Sequence, residues 1–281
     1  MPETTLDQGT IRYREQGPAD GPPVVFVHGF LVDGSLWDGV ADRLAARGYR
    51  TVQPTLPLGS HTVALDPAAD LSPRGVARLV AAFLERLGLE DVTLLGNDTG
   101  GALCQFLLDT APERIGRLVL TNCDGFEVFP PKPFDLLVKV CRHPALARAA
   151  MLPTRSTALR HSMLGFGGLV AHRLDARQSR GWVEPFLTDA GVRDDVRRFC
   201  AALDPRELAD VATRLRRFDG PVLLCWAPAD RFFTIELGRR LQAAFADARL
   251  VEIADSRTFV PLDQPQRLAD EVAAFAARVP A

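Results

Sequence analysis

The stretch Val92-Thr93-Leu94-Leu95-Gly96-Asn97-Asp98-Thr99-Gly100 decides the fold. An apolar run enters a turn with a glycine two residues either side of Asp98. Gly101 and Ala102 then lead into a helical pattern from Leu103 to Thr110. A strand, a sharp glycine-flanked turn and a helix make a nucleophile elbow. The turn forces its middle residue into a strained backbone and brings helix close to strand, which is why glycines flank it. Read alone, the same pentapeptide also suits a polar βα turn, with an Asp at ease beside a helix N-terminus.

The flanks favour the elbow. Val24–Val27 is a buried-strand run that ends in His28-Gly29-Phe30. Gly9–Gln16 reads as a strand. Ser35 is expected to cap a helix carrying Leu36, Trp37, Val40 and Leu44, closed by Gly48. Tyr49–Gln53 reads as a strand, residues 74–87 as an amphipathic helix and Ile115–Thr121 as a strand. Strands alternating with helices predict a doubly wound, mostly parallel α/β sheet. The alternation stops at Gly125 and resumes at Pro221-Val222-Leu223-Leu224-Cys225-Trp226. A helical insertion is therefore expected at 125–214, as a cap over the turn, with 1–124 and 215–281 forming the core.

The chain has 281 residues, 47% hydrophobic and 24% charged, with a net charge of −2. These values suit a water-soluble globular protein and give no reason to expect nucleic acid or a membrane as partner. Five cysteines lie scattered without metal or disulfide spacing. Met1–Asp7 has neither a basic region nor an apolar run, so a cytoplasmic location is expected. No metal and no cofactor are expected. The expected partner is a small hydrophobic organic substrate, with the chain a monomer or homodimer.

These motifs resemble the α/β-hydrolase superfamily along nearly the whole chain. The resemblance rests on His28-Gly29-Phe30, the Gly96–Gly100 elbow, the insertion, and Trp226-Ala227-Pro228-Ala229-Asp230 after the penultimate strand. An Asp at the elbow looks like the haloalkane dehalogenase and epoxide hydrolase branch. The resemblance implies Asp98 as nucleophile, the N–H groups of Phe30 and Thr99 as oxyanion hole, and Asp230 as triad acid. His28 would then be a structural residue of the pocket wall. The resemblance also places the triad histidine in Asp255-Ser256-Arg257-Thr258-Phe259-Val260-Pro261, where the aligned residue is Thr258. No histidine follows His172, and threonine has no basicity near neutral pH. Other branch markers are also absent. Dehalogenases carry a Trp after the nucleophile and often an Asn after His-Gly, where this chain has Thr99 and Phe30. Epoxide hydrolases use two cap tyrosines, whereas Tyr13 and Tyr49 lie outside the insertion.

His61, in a loop on the expected active-site side, is the candidate substitute base or proton relay. Asp124, Phe126, Phe129, Phe134, Phe166, Trp182 and Phe186 are expected around an apolar pocket. Three functions fit. The favoured one is non-hydrolytic acid/base chemistry on a hydrophobic carbonyl compound, through an enolate. The second is a hydrolase acting through an Asp98 ester. The third is a non-catalytic binding protein.

Overall fold

The structure, a computed structural model, describes residues 1–277; the end of the expected second core segment, 278–281, lies outside them. Eight strands form one sheet: β1 (Glu3–Leu6), β2 (Gly9–Gln16), β3 (Pro23–Val27), β4 (Arg50–Pro54), β5 (Val92–Asp98), β6 (Ile115–Cys123), β7 (Val222–Trp226) and β8 (Ala248–Glu252). Their order is β1-β2-β4-β3-β5-β6-β7-β8. β1 pairs antiparallel with β2, and β2 antiparallel with β4; every other pairing is parallel. β3, β5, β6 and β7 are almost wholly buried, as expected for strands covered by helices on both faces. The sequence expectations missed β1. It is four residues long and alternates exposed with half-buried side chains, so it lacks the apolar run that marks the inner strands.

The core helices are α1 (Asp38–Ala45), α2 (Pro73–Arg86) and α3 (Thr99–Thr110). α2 starts as its sequence dictates, with Pro73 in the first turn and the Ser72 hydroxyl accepting from Gly75 N at 3.0 Å. α1 corrects an expectation. Asp33, not Ser35, caps this region: its carboxylate accepts from Ser35 N at 2.8 Å and opens a 3-10 turn, Gly34–Trp37, ahead of α1. The Ser35 hydroxyl is used instead by the insertion, accepting from Trp182 Nε1 at 2.9 Å.

The insertion folds into α4 (Phe134–Cys141), α5 (Pro144–Met151), α6 (Thr157–Arg160), α7 (Ala176–Thr188), α8 (Ala190–Ala202) and α9 (Pro205–Ala212). Aspartates cap the last three: Asp175, Asp189 and Asp204 each accept from a first-turn N–H. Polar contacts fasten the insertion to the core. Ser60 Oγ donates to Trp182 O at 2.7 Å, Gln178 Nε2 to Ser35 O at 2.8 Å, and Ala171 N to Asp263 Oδ2 at 2.8 Å. The chain ends in α10 (Ile235–Ala244), α11 (Val260–Asp263) and α12 (Pro265–Ala276). No described helix is long and apolar enough to cross a membrane.

The β5–α3 turn is tightly packed. Asp98 has φ 54°, a left-handed value that a side chain adopts only under constraint. A Cβ on Gly100 would stand 2.1 Å from Val27 O, so α3 can sit against β3 only without a side chain there. Gly100→Ala should lower stability by on the order of 2–3 kcal/mol, the cost of overpacking an interior that cannot yield. Thermal unfolding of the purified variant measures it; an unchanged midpoint would mean that α3 is free to move off β3.

Candidate active site

β3 and β5 are neighbours, with Val27 opposite Gly96, so the segments leaving their carboxyl ends meet. Phe30 N donates to Asp98 Oδ2 at 3.0 Å. A Cβ on Gly29 would lie 2.1 Å from that same oxygen, so glycine at 29 is what permits the approach. Leu31 also has a left-handed backbone, φ 58°, and its N–H is tied to Leu58 O at 2.9 Å. The loop is thereby fixed on both sides of the donor.

Asp98 is enclosed by protein except toward a cavity between core and insertion. Phe30, Leu31, Asp98 and Thr99 form its core side. Pro130, Pro131, Phe134, Leu137, Val138, Met151, Arg160, Phe166, Leu169, Phe199 and Leu203 cover it from the insertion. Burial pushes the Asp98 carboxyl up to about 6. The Thr99 and Phe30 N–H groups oppose that shift, and the charge of Asp230 adds to it. The Thr99 contribution is electrostatic, since its N–H lacks full hydrogen-bond geometry.

Asp230 is anchored through Oδ1, which accepts from Phe232 N at 2.8 Å and Phe233 N at 3.3 Å. Burial raises its pKa. Its Oδ2 and the Thr258 hydroxyl both lack a partner of hydrogen-bond geometry, although the hydroxyl favours the ionised Asp230 electrostatically. Thr258 is fully buried, and its carbonyl accepts from Asn97 Nδ2 at 2.7 Å. Neither Asp230 nor Thr258 lines the cavity.

Several residues expected on the pocket wall are elsewhere. His28 Nε2 accepts from Leu56 N at 2.7 Å, which leaves the ring proton on Nδ1 to donate to Gly29 O at 2.9 Å. Burial pushes this imidazole down to about 4, so it is a neutral brace inside the loop. Asp124 is buried behind the turn, with no hydrogen-bond partner for either carboxylate oxygen. Burial, first, and the Asp98 charge, second, hold it well above the usual carboxylate range. Phe126 lies under the Arg240 guanidinium, 4.3 Å from its ring centroid. Phe129 packs on Phe106 inside the core. Trp182 is fully buried against Phe166 and Phe259, and Phe186 is buried too. Phe134 and Phe166 do line the cavity.

His61 also falls outside the cavity. Its Nδ1 accepts from Gly59 N at 3.3 Å, which directs Nε2–H to Asp195 Oδ2 at 3.0 Å. Asp195 lies on α8 and also accepts from Leu65 N and Arg198. His61 thus ties a core loop to the insertion, beside a separate small cavity lined by Arg12 and Asp33. The sequence expectations missed Leu31, Met151, Arg160 and Phe199 as wall residues. Phe199 was accessible to periodicity, since Val192, Val196 and Phe199 share one buried face of α8. Nothing local marks the other three.

Two outcomes follow from this placement. His61→Ala should lower stability by on the order of 1–3 kcal/mol, by stranding part of the buried Asp195, without moving the pH profile of any activity. A shifted profile would return His61 to the chemistry. A raised carboxyl pKa costs stability as pH rises from about 4 to the value near 6 that Asp98 carries in the fold. Asp98→Asn should therefore be more stable than wild type at pH 8 by on the order of 1–3 kcal/mol, with the gain shrinking toward pH 4. Melting curves at both pH values measure it; a less stable variant at pH 8 would contradict the electrostatic reading.

The chain was compared with known proteins. A 2-hydroxy-6-oxononadienedioate/2-hydroxy-6-oxononatrienedioate hydrolase of Klebsiella pneumoniae is 27% identical over 258 residues, covering 87% of this chain and 84% of that protein. A cis-3-alkyl-4-alkyloxetan-2-one decarboxylase of Xanthomonas campestris is 26% identical over 284 residues, covering 96% and 93%. Among solved structures, a putative ancestral haloalkane dehalogenase superposes with TM-score 0.80 at 20% identity, covering 99% of both chains. At that identity the likeness concerns the fold alone. The model of the alpha/beta hydrolase family matches residues 24–271, and with the sheet order, the elbow and the insertion already described, the chain belongs to that family.

Proposed function

We propose that this chain is a hydrolase that works through an ester on Asp98, formed when an Asp98 oxygen attacks an electrophilic carbon of a hydrophobic small molecule and the bond from that carbon to a halide or ring oxygen breaks, the electron pair leaving with the halide or oxygen. One observation carries the reading: Phe30 N–H holds Asp98 Oδ2 at 3.0 Å. That donor is occupied by the carboxylate itself, so it is not free for the oxygen of a substrate enolate. This weighs against the enolate route favoured by the sequence. The same donor suits the ester route. It fixes one oxygen, leaves the other for the cavity, and stays at the oxygen that gains charge when the ester carbonyl is attacked. The hydrolases among the relatives support the same direction.

Release of the ester takes a water and a base. Burial and the Asp98 charge hold Asp124 well above the usual carboxylate range, which disfavours the ionised form a base needs. Asp230 keeps an unpartnered Oδ2, acts electrostatically on Asp98 and has a raised pKa, which makes it a better base than an ordinary carboxylate. Water adds to the ester carbonyl as Asp230 takes one of its protons; the tetrahedral intermediate then breaks its bond to the alcohol oxygen, which takes that proton from Asp230, and the Asp98 carboxyl is restored. The second reading is that the ester collapses without water, by loss of a neighbouring group as carbon dioxide, forming an alkene and expelling the Asp98 carboxylate. It is favoured by the absence of histidine from the described cavity wall, and the Xanthomonas relative's name is consistent with it.

Turnover in oxygen-18 water, with mass spectrometry of the Asp98 peptide and of the product, tests both. Hydrolysis through the ester places label in Asp98 over repeated turnovers. Unlabelled Asp98 with a transient alkyl adduct supports collapse without water. No adduct and no label with any alkyl halide, epoxide or strained lactone removes the ester mechanism. The rate should rise with pH through about 6, as Asp98 ionises, and level off above it.

A further inference from the structure

The net charge of −2 hides an asymmetry. Between residues 128 and 174 stand seven Lys and Arg residues against one Asp, a net +6. Six of those cations, Lys132, Lys139, Arg142, Arg148, Arg155 and Arg173, are exposed. Lys139 alone among them pairs with a carboxylate, Asp135. Arg142 and Arg148 donate to the backbone carbonyls of Cys200 and Leu187, which leaves their charge uncompensated. The same segment carries Leu136, Leu146, Leu159, Met163 and Leu164, each more than half exposed. Apart from Met1, these are the large apolar side chains standing in solvent among the described residues.

These side chains occupy one continuous run of structure. α4 packs on α5, α5 on the 152–155 turn, and that turn on α6. The run also forms the outer wall of the Asp98 cavity. Leu164 lines the cavity and is 96% exposed, which places the cavity mouth within the patch. Exposed apolar groups interleaved with unpaired cations are what an anionic bilayer surface binds: the apolar groups enter the headgroup boundary and the cations meet lipid phosphates. A second copy of the chain would bring two net-positive faces together. We infer that this face of the insertion docks on an anionic lipid surface, with the cavity mouth toward the bilayer. The inference is independent of whether the Asp98 ester is hydrolysed.

Flotation of the full chain with vesicles tests it. Wild type should partition at least about tenfold more strongly into phosphatidylcholine vesicles containing phosphatidylglycerol than into phosphatidylcholine alone, and 0.5 M salt should reduce that preference. Lys132→Glu/Arg155→Glu should lose about tenfold or more of the binding, since each cation near the surface contributes about a factor of five. Leu146→Ser/Leu159→Ser should weaken binding to the same vesicles while keeping the wild-type melting curve and turnover of a soluble substrate. None of these four residues touches Asp98. Failure of wild type to bind anionic vesicles, or equal binding to both vesicle types, overturns the inference. A dimer in light scattering that the Leu146→Ser/Leu159→Ser variant dissolves also overturns it, by assigning the face to a second copy.

Discussion

The contact between Phe30 N–H and the Asp98 carboxylate constrains everything around it. It requires two segments to leave adjacent parallel strands at the same height, which the register of Val27 against Gly96 provides. It requires left-handed backbone at both Asp98 and Leu31. Such conformations cost on the order of 1–3 kcal/mol each and persist only where surrounding structure over-determines them. Here the surroundings are the fully buried β3 and β5, the Leu31–Leu58 backbone bond, and an α3 that approaches β3 as closely as Gly100 allows. The insertion adds a ring contact to the same loop, Phe199 stacking on Phe30 with centroids 6.2 Å apart.

Electrostatics around the contact are one-sided. Asp98 feels the charge of Asp230 and Asp124 that of Asp98, and no cation is among the groups that chiefly set the Asp98 shift. Burial alone would drive all three toward the neutral acid. They differ in what opposes it. Asp98 has two N–H groups, and Asp230 has two N–H groups, the Thr258 hydroxyl and the Asn122 side-chain amide. Asp124 has only the Thr99 hydroxyl, acting electrostatically, and is the most strongly shifted. The environment therefore sets three equal side chains apart by how far burial is opposed at each. The nearby core histidines cannot take over. His28 is consumed by Leu56 and Gly29, and His61 by Gly59 and Asp195.

The fold was legible because its signals are local: apolar runs in the inner strands, glycine flanking Asp98, and a break in alternation at the insertion. The elbow and the loop before it were legible for the same reason. The wall of the cavity was not. Phe126, Phe129 and Trp182 are aromatic residues close in sequence to the right segments, yet Phe126 is taken by Arg240 and the other two by interior packing. Composition does not distinguish an aromatic side chain facing a void from one filling it. His61 was misplaced for a different reason. Its partner, Asp195, lies 134 residues away in the insertion, and no sequence spacing connects them. The charge sum likewise says nothing of where charge lies, since it averages a basic segment with an acidic remainder.

Thr258 lies on a segment where the core and the insertion are joined. Its neighbour Phe259 packs against Trp182 with centroids 6.1 Å apart and against Phe166 at 6.4 Å, and both of those rings come from the insertion. Phe259 N also donates to Leu169 O at 2.9 Å, and Leu169 lines the cavity. The segment carrying Thr258 is thus stitched to the underside of the insertion. Thr258 itself is fully buried and does not line the cavity; its hydroxyl acts on Asp230, and its carbonyl is held by Asn97. The seating of the insertion and the placing of the segment around Thr258 are therefore one structural feature: what holds Phe259 under the insertion also fixes the residue beside it, next to Asp230.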